Sequence, residues 1–463
     1  MSQEQPKSVE ESKFDEPAML KSIDNPIESL ESNVQQLEDY GGFDLFENII
    51  DEVQNINPEK KARKKIFLQE ADKKAEREEL KKTLQVWSNV LNTSEDISSI
   101  IKACEDKTES AGQLLTKNLK AAVEKSKQLE RSYRSVASFY ANTESSKVKN
   151  ISIINADPEK LVNTEQDTKF FNAIREELVG KYDRLDMREN YSLLLLPGYL
   201  ESNKVIEKWA KLAYENKVLL VTDFKDRPEP DIVMEEFAKA NFTGGDNYRS
   251  NVIMTCNWLV GRGKFNEIGE EEDLYVPPSS ALAGKIYNTL MSQPTAGKKH
   301  GGMNEVDGVR FDLKKSEIAN LEKLGLVPMV KEYGKVMAFS AKTLFNGDNL
   351  GLQTYSVVRV FDYVAKVMMD FLNRRTFENF NAQTRKELNG QIVKFLDSIT
   401  GPNKLIEEFT IKKFEQDPVQ KDKIYLDIHM KPFFPAKTFL IKLAGQKGDN
   451  ASDWSSEYEQ DKK

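Results

Sequence analysis

The residues in this chain that could do chemistry are few, and the most suggestive is Asp223, which follows the apolar run at 218–221. An acidic residue at the end of the second strand of a Rossmann-like unit binds a dinucleotide when a glycine-rich turn follows the first strand. Here that turn reads PGYLES at 197–202 and lacks the GxGxxG spacing that lets backbone approach a pyrophosphate. The sequence therefore disfavours a dinucleotide site.

Two other glycine-containing segments invite the same question. The GRGK segment at 261–264 resembles part of a P-loop, but it lacks the preceding spacing and has no Ser or Thr after its lysine. The segment at 296–308 contains four glycines and predicts a mobile loop, whose lysines and glycines could cradle an anion. Neither segment predicts a nucleotide site.

Histidine and cysteine are scarce. The chain contains only His300 and His429, which we expect to be structural or solvated, so the commonest general base and zinc ligand are missing from most schemes. Cys104 and Cys256 lie far apart with no CxxC, which disfavours a disulfide framework and a cysteine zinc site and indicates a reducing compartment. We expect no catalytic residue, no cofactor and no metal.

The charge is concentrated at the beginning of the sequence. Residues 1–52 contain fourteen Asp or Glu against three Lys, a local balance of −11 within a chain whose formal charge is −8. Roughly the first 40 residues therefore predict a flexible acidic arm. The sequence begins with neither a basic nor an apolar leader segment and contains no apolar run long enough to span a membrane, so we expect a cytoplasmic protein without membrane insertion.

Apolar residues recur within this arm at helical spacing. They form one set before Gly41 and a second set at 43–53, and either could be a short helix that forms on a partner or the first helix of the fold. The first set consists of Ile27, Leu30, Val34 and Leu37.

The elements that would position any site follow in three blocks. Residues 58–140 are helix-prone, and the basic run at 60–65 is interspersed with acidic residues, which indicates a solvated helix face rather than a nucleic-acid track. We expect a second helix in this block to pack on the first as a hairpin. The runs at 193–196, 218–221 and 252–256 then alternate with helical segments, which predicts a βαβαβ unit with a parallel sheet.

The last block has two amphipathic helices followed by strands. In the first helix an apolar stripe from Val357 to Leu372 lies opposite Arg359, Asp362, Lys366 and Asp370, which predicts one buried face and one face in water. The second helix should end at Gly401, and residues 424–431 alternate as a strand does. After Pro435 a terminal strand is predicted, consisting of Thr438, Phe439, Leu440, Ile441, Lys442 and Leu443.

This block resembles the terminal domain of contractile tail-sheath proteins, and the whole chain resembles the large sheath subunit of type VI secretion systems. The resemblance is carried by TYSVVRVFDY at 354–363, RRTFEN at 374–379, QIVKFL at 391–396, Gly401 and PAKTFLI at 435–441. Departures at the N-terminus and at Lys437 point to a divergent branch such as the Bacteroidota-type systems.

The resemblance implies a structural protein that is not an enzyme. It implies polymerisation with further copies of itself, in which the strand at 438–443 is donated to a neighbour's sheet, and contraction that propels an inner tube. The implied partners are a small sheath subunit, the inner tube, a baseplate and an AAA+ unfoldase, which would recognise the set Ile27, Leu30, Val34 and Leu37. The same strand could instead complete a sheet of its own chain.

The predicted fold class is mixed α/β and α+β. The predicted domains are an acidic arm at 1–57, a helical region for small-subunit pairing at 58–147, a central α/β domain at 148–332, a sheath assembly domain at 333–445 and a polar tail at 446–463. Two alternatives remain at this stage. One is a cytosolic helical scaffold or adaptor built around residues 58–140, and the other is a Rossmann-like nucleotide-binding enzyme that uses Asp223 or Gly198.

Overall fold

The computed structural model describes most of the chain beyond residue 70. The described residues are 71–92, 96–144, 148–165, 168–437, 440–445 and 454–459 of 463. By their internal contacts they belong to two compact units, Met1–Lys117 and Asn118–Lys463. The predicted arm at 1–57, with its candidate helix at 27–37, lies outside the described residues and stays a prediction.

Eleven α-helices occur in the described parts of the chain. In chain order they are α1 (Lys74–Leu91), α2 (Ile97–Asn142), α3 (Pro158–Leu161), α4 (Lys169–Tyr182), α5 (Asn203–Glu215), α6 (Pro230–Ala240), α7 (Ser279–Asn288), α8 (Gly297–His300), α9 (Lys315–Lys323), α10 (Tyr355–Asn373) and α11 (Ala382–Ile399). Several begin at side chains that accept a hydrogen bond from the first turn, as Ser202 does for α5 and Asn381 for α11. The prediction that α1 and α2 pack as a hairpin stays a prediction.

Twelve strands occur in the same residues. In chain order they are β1 (Leu193–Tyr199), β2 (Leu219–Asp223), β3 (Val252–Cys256), β4 (Leu259–Arg262), β5 (Leu274–Val276), β6 (Gly308–Val309), β7 (Leu326–Glu332), β8 (Lys335–Ala338), β9 (Ile406–Gln416), β10 (Ile424–Pro432), β11 (Leu440–Gly445) and β12 (Trp454–Glu459). They form a five-stranded sheet, a three-stranded sheet and two separate two-stranded sheets. The predicted mixed fold class is confirmed.

The five-stranded sheet is the centre of the second unit. Its order is β1-β2-β3-β7-β8, with β1, β2, β3 and β7 parallel and β8 antiparallel to β7. The predicted βαβαβ unit is therefore confirmed, with α5 and α6 as its crossover helices. Strands β2 and β3 are buried along their whole length, which explains their unbroken apolar sequence.

The two faces of this sheet are covered by different elements. Alternate residues such as Leu220 and Met254 pack with α4, α5 and α6 on one face. Leu219, Val221 and Ile253 pack on the other face with α7 and with Phe139 of α2. The pleat of each strand thus divides one apolar run between two cores.

A third core lies in the C-terminal part, where α10 and α11 pack on the hairpin of β9 and β10. Strand β10 was predicted, and α11 ends just before Gly401, which has a φ of +121° as expected for a glycine helix stop. Strand β9 was not predicted. Its ladder with β10 shifts register between Asp427 and Ile428, so its apolar residues do not keep the period of two that reveals a strand.

Two predictions about loops and faces are wrong. The face of α10 expected in water is packed on the central domain, with Arg359 donating to the carbonyl of Ile286 and Asn251 donating to Asp362. The loop expected to be mobile is held to β8: Met303 N donates to Val336 O and Ala338 N donates to Gly301 O. In both cases the sequence pattern contained the polar residues but not the partners that the fold brings to them.

The region expected to be a polar tail contains β12, which pairs antiparallel with β11 from Leu440 opposite Glu459 to Gly445 opposite Trp454. The strand predicted at 438–443 coincides with β11 over residues 440–443, whereas Thr438 and Phe439 lie outside the described residues. The last described element is therefore β12 rather than the predicted terminal strand.

Candidate functional site

Asp223, the residue with the strongest claim to chemistry, is fully buried at the end of β2 and receives four hydrogen bonds. Gly198 N donates to its Oδ2 at 2.7 Å, and Ser279 donates through its backbone N at 2.7 Å and its hydroxyl at 2.5 Å. Thr255 Oγ1 donates the fourth. Burial raises the pKa of Asp223 to about 6 despite these donors. With its lone pairs used inside the protein, Asp223 ties β1, β3 and the first residue of α7 together instead of facing a ligand.

The sheet also lacks the place where open α/β sheets bind nucleotides. Ligands bind where the strand order reverses and neighbouring connections leave on opposite sides. Here β1, β2 and β3 follow each other in sequence order across the sheet. Topology and the saturated Asp223 both count against the Rossmann-like enzyme.

The first two residues of the GRGK segment belong to strand β4 rather than to a phosphate loop. Arg262 ends β4 and makes a two-pronged ion pair with Glu270, with N···O distances of 2.6 and 3.1 Å, and its Nε donates to Glu130 of α2 at 2.9 Å. The Arg262 guanidinium holds the pKa of Glu270 below its usual range. This network fastens α2 to the three-stranded sheet.

The described residues show no other chemical centre. Within them, no three His, Cys, Asp or Glu side chains come close enough together to hold a metal ion. Burial raises the pKa of the Cys256 thiol, which makes it a poor nucleophile. None of the described helices is long and apolar enough to cross a membrane.

Helix α2 instead presents a surface that suits another helix. In the second unit, seven of its positions recur at alternating steps of three and four, the spacing of a coiled-coil seam. These seam positions are Leu119, Ala122, Ser126, Leu129, Tyr133, Val136 and Tyr140. Leu129 is 74% exposed and Tyr133 is 71% exposed, and the other large seam residues are also exposed. An apolar seam that stays in water is typical of a surface awaiting a partner helix.

The opposite face of α2 is firmly docked, so the seam has a fixed direction. Ser135 and Ser280 of α7 are joined by a 2.6 Å hydrogen bond, and Asn142 exchanges hydrogen bonds with the backbone of Asn304. A Cβ added at Gly284 of α7 would lie 2.3 Å from the carbonyl oxygen of Phe139. Only glycine permits this close approach, which anchors the C-terminal part of α2.

A second incomplete surface lies in the C-terminal sheets. The β9–β10 sheet and the β11–β12 sheet each have two strands, so each leaves two edges without a strand partner in the described chain. Strand β9 has eleven residues and β10 has nine, and long unpaired edges of this kind readily pair with another chain. The predicted inter-subunit strand therefore follows, in the sequence, a sheet with unpaired edges.

The turn between α10 and α11 adds one exposed aromatic residue. Phe377 is fully exposed and has a φ of +73°, a left-handed conformation that costs a bulky residue about 1–2 kcal/mol. Exposure and strain together mark it as a residue that its own chain does not need for folding.

Comparison with known proteins gives three family matches along the chain. Residues 121–346 match the family described as "Type VI secretion system TssC/VipB, central domain". Residues 354–460 match "TssC/VipB-like, C-terminal domain", and residues 30–119 match "TssC/VipB-like, N-terminal region". The comparison with curated protein sequences found no match.

Solved structures with a similar arrangement are distant. The anti-feeding prophage helical sheath in its contracted state is 16% identical, over 68% of this chain and 81% of that chain, with a TM-score of 0.46. The anti-feeding prophage baseplate is 18% identical over 50% and 62%, with a TM-score of 0.38. The sheath tail protein of Desulfitobacterium hafniense is 12% identical over 63% and 60%, with a TM-score of 0.38. The chain spans less than two thirds of the last two.

Proposed function

Because the chain belongs to the TssC/VipB family of the type VI secretion system, the family of its large sheath subunit, we propose that it polymerises into a contractile sheath with a small sheath subunit. The recognition from sequence is confirmed, whereas the Bacteroidota branch stays a prediction. The family is one of structural proteins. In this proposal the sheath surrounds an inner tube and contracts to propel it.

The observation that carries the proposal is the pair of open edges on the β9–β10 sheet. A strand added to an edge gains main-chain hydrogen bonds along its length, and the alternation of side chains fixes its register. Strand β11 is a suitable donor because it follows the same sheet in sequence and has only β12 as its partner in the described residues. We propose that β11 of one copy extends the β9–β10 sheet of a neighbouring copy.

A short segment joins the two sheets. From Pro432, the end of β10, to Leu440, the start of β11, there are eight residue steps, which can span at most about 29 Å. Within it, Lys437 Nζ lies 2.5 Å from Glu322 of α9. A short tether of this kind keeps copies connected while their bodies change position, as contraction demands.

The seam of α2 supports the second part of the proposal. The prediction placed small-subunit pairing in residues 58–147, and the exposed seam lies inside that range. A helix of the small subunit with apolar residues at the same spacing would bury Leu129 and Tyr133. The inner tube, the baseplate and recycling by an AAA+ unfoldase at residues 27–37 belong to the same proposal, through the family.

Two truncations of the full chain, each co-expressed with the small subunit, test strand donation. Removing residues 436–463 deletes both β11 and β12 and should abolish filaments in negative-stain electron microscopy while leaving a folded heterodimer. Removing residues 446–463 deletes β12 alone and should still allow filaments, because β11 remains available. Filaments formed by the longer deletion would contradict strand donation and favour the helical scaffold.

A further inference from the structure

A basic pocket lies on the central domain, and none of its lining residues belongs to the seam or to the C-terminal sheets. It has a volume of about 220 Å³ and is lined on several sides by lysines from three separate parts of the fold. They are Lys285 of α7, Lys298 and Lys299 of α8, Lys331 of β7 and Lys335 of β8. One carboxylate, Asp307, lines the pocket with them.

These five lysines form no ion pair within the part of the chain that the structure describes. Lys331 Nζ instead contacts the backbone oxygen of Asp307 at 3.3 Å, and Lys298 Nζ lies 4.8 Å from the centre of the Tyr333 ring. Burial, with the charges of Lys299 and Lys285, lowers the pKa of the neighbouring His300. The pocket therefore holds five lysines against one carboxylate, a concentration of positive charge on a chain whose net charge is −8.

The backbone that holds the lysines is fixed. Gly301 N donates to Gly297 O at 2.8 Å. Next along the chain, Gly302 pairs antiparallel with Met337 of β8. A Cβ at Gly301 would lie 2.5 Å from the carbonyl oxygen of Ala338, so this close pairing requires glycine. The lysines of α8 and of the β7–β8 hairpin consequently keep a constant separation, and a ligand meets them as a preformed set.

We propose that this basic pocket binds the acidic residues 1–52 of a second copy of the chain. Those residues contain fourteen carboxylates and three lysines, so their net charge of −11 is opposite in sign to that of the pocket. Their carboxylates are also the groups with which lysine ammonium groups form ion pairs. Lysine is a point charge on a flexible stem, so five of them suit a series of carboxylates without fixed geometry. The proposal rests on the proposed polymer only for bringing copies together.

Zero-length cross-linking of the full chain tests this contact, because carbodiimide joins a lysine to a carboxylate only where the two touch. Unlabelled and ¹⁵N-labelled chains would be co-assembled with the small subunit, cross-linked and analysed by mass spectrometry. We expect the pocket lysines to be joined to carboxylates of residues 1–52 in pairs of mixed label. Their yield should fall severalfold when salt is raised from about 0.05 M to about 0.5 M, because screening weakens exposed ion pairs.

Lys285 serves as the reporter in a matched pair of variants. Replacing Lys298, Lys299, Lys331 and Lys335 by Gln should lower the yield from Lys285 to residues 1–52 about tenfold, since each lost charge weakens the attraction. The control replaces the exposed Lys169, Lys204, Lys315 and Lys323 by Gln and should change the yield less than twofold. Circular dichroism would verify that both variants fold.

Some cross-linking results would overturn the inference. They are cross-links only to Asp307 and its neighbours, cross-links to residues 1–52 only within one copy, and an equal loss of yield in both variants. The inference would also be contradicted if co-purified nucleic acid shielded the pocket lysines from cross-linking and nuclease treatment removed this shielding. Filaments are scored separately by electron microscopy, so mixed-label cross-links without filaments would uphold this contact while contradicting the proposed sheath.

Discussion

The central sheet and the C-terminal sheets are built from the same kind of element but differ in completeness. Strands β2 and β3 have strand neighbours on both sides and are buried throughout, and even the carboxylate of Asp223 is fully hydrogen-bonded. Strands β9 to β12 form two separate hairpins with open edges. One region satisfies its own polar groups, whereas the other leaves strand edges without a partner in the described residues.

The largest expected effect comes from breaking the complete region. Trp209 of α5 is fully buried, packs edge to face on Phe171 and donates from Nε1 to Leu161 O at 3.1 Å. Trp209→Ala should lower the free energy of unfolding by about 3–5 kcal/mol, because it leaves a large cavity. Urea denaturation followed by circular dichroism measures this loss. A loss below about 1 kcal/mol would contradict the distinction between the regions.

The second effect uses the buried charge of Asp223. Its pKa in the folded chain, about 6, lies above the ordinary 3.8, so the folded state holds the proton more tightly than the unfolded state. The contribution of Asp223 to stability is therefore greatest below pH 4 and is lost as pH rises through about 6, by up to about 3 kcal/mol. Unfolding of the wild type and of Asp223→Asn between pH 4 and pH 7 measures the difference. The variant should lack this component, and identical slopes would refute it.

The third effect concerns the incomplete surface of α2. Replacing both Leu129 and Tyr133 by Glu should weaken binding of the small subunit by about a hundredfold, because charges enter an apolar seam. Both residues are largely exposed, so unfolding of the chain alone should change by no more than about 0.5 kcal/mol. Co-purification and calorimetry measure the two quantities. A matched variant with Lys117→Glu and Lys120→Glu, both exposed and facing away from the seam, should keep the partner.

The smallest effect sharpens the comparison at a single residue. Phe377→Asn should stabilise the folded chain by about 0.5–1 kcal/mol, because Asn tolerates the left-handed conformation and no packing is lost. Thermal unfolding measures the gain. A decrease in stability would show that the ring supports its own chain after all.

The sequence predicted the complete region better than the incomplete one. Strand β3 was placed at its observed residues, and β1 and β2 were placed nearly so, because a strand buried on both faces reads as an unbroken apolar run. The charged face of α10 was assigned to water because a single helix cannot show that Asn251 and Ile286 will lie against it. Burial there raises the pKa of Asp362 and lowers that of Lys366 to about 8.

The candidate surfaces were predicted unevenly. The strand predicted at 438–443 from its alternation matches β11 over residues 440–443, but β9 and β12 were missed, β9 because its register shift breaks that alternation. The seam of α2 was present in the sequence as a run of four-three steps, and its exposure could be learned only from the structure. The basic pocket could not be foreseen, because α7, α8 and the β7–β8 hairpin are separated in sequence and meet only through the sheet.

The exposed seam of α2 has a consequence for how much of this chain a cell can make. A helix with Leu129 and Tyr133 in water is an adhesive surface for any other unassembled copy, and proteins with such surfaces are subject to aggregation and proteolysis. If a partner covers the seam as proposed, copies in excess over that partner should be lost to this turnover. The slower synthesised of the two chains would then limit the abundance of the assembled form, so one helix face would make balanced synthesis of both chains necessary.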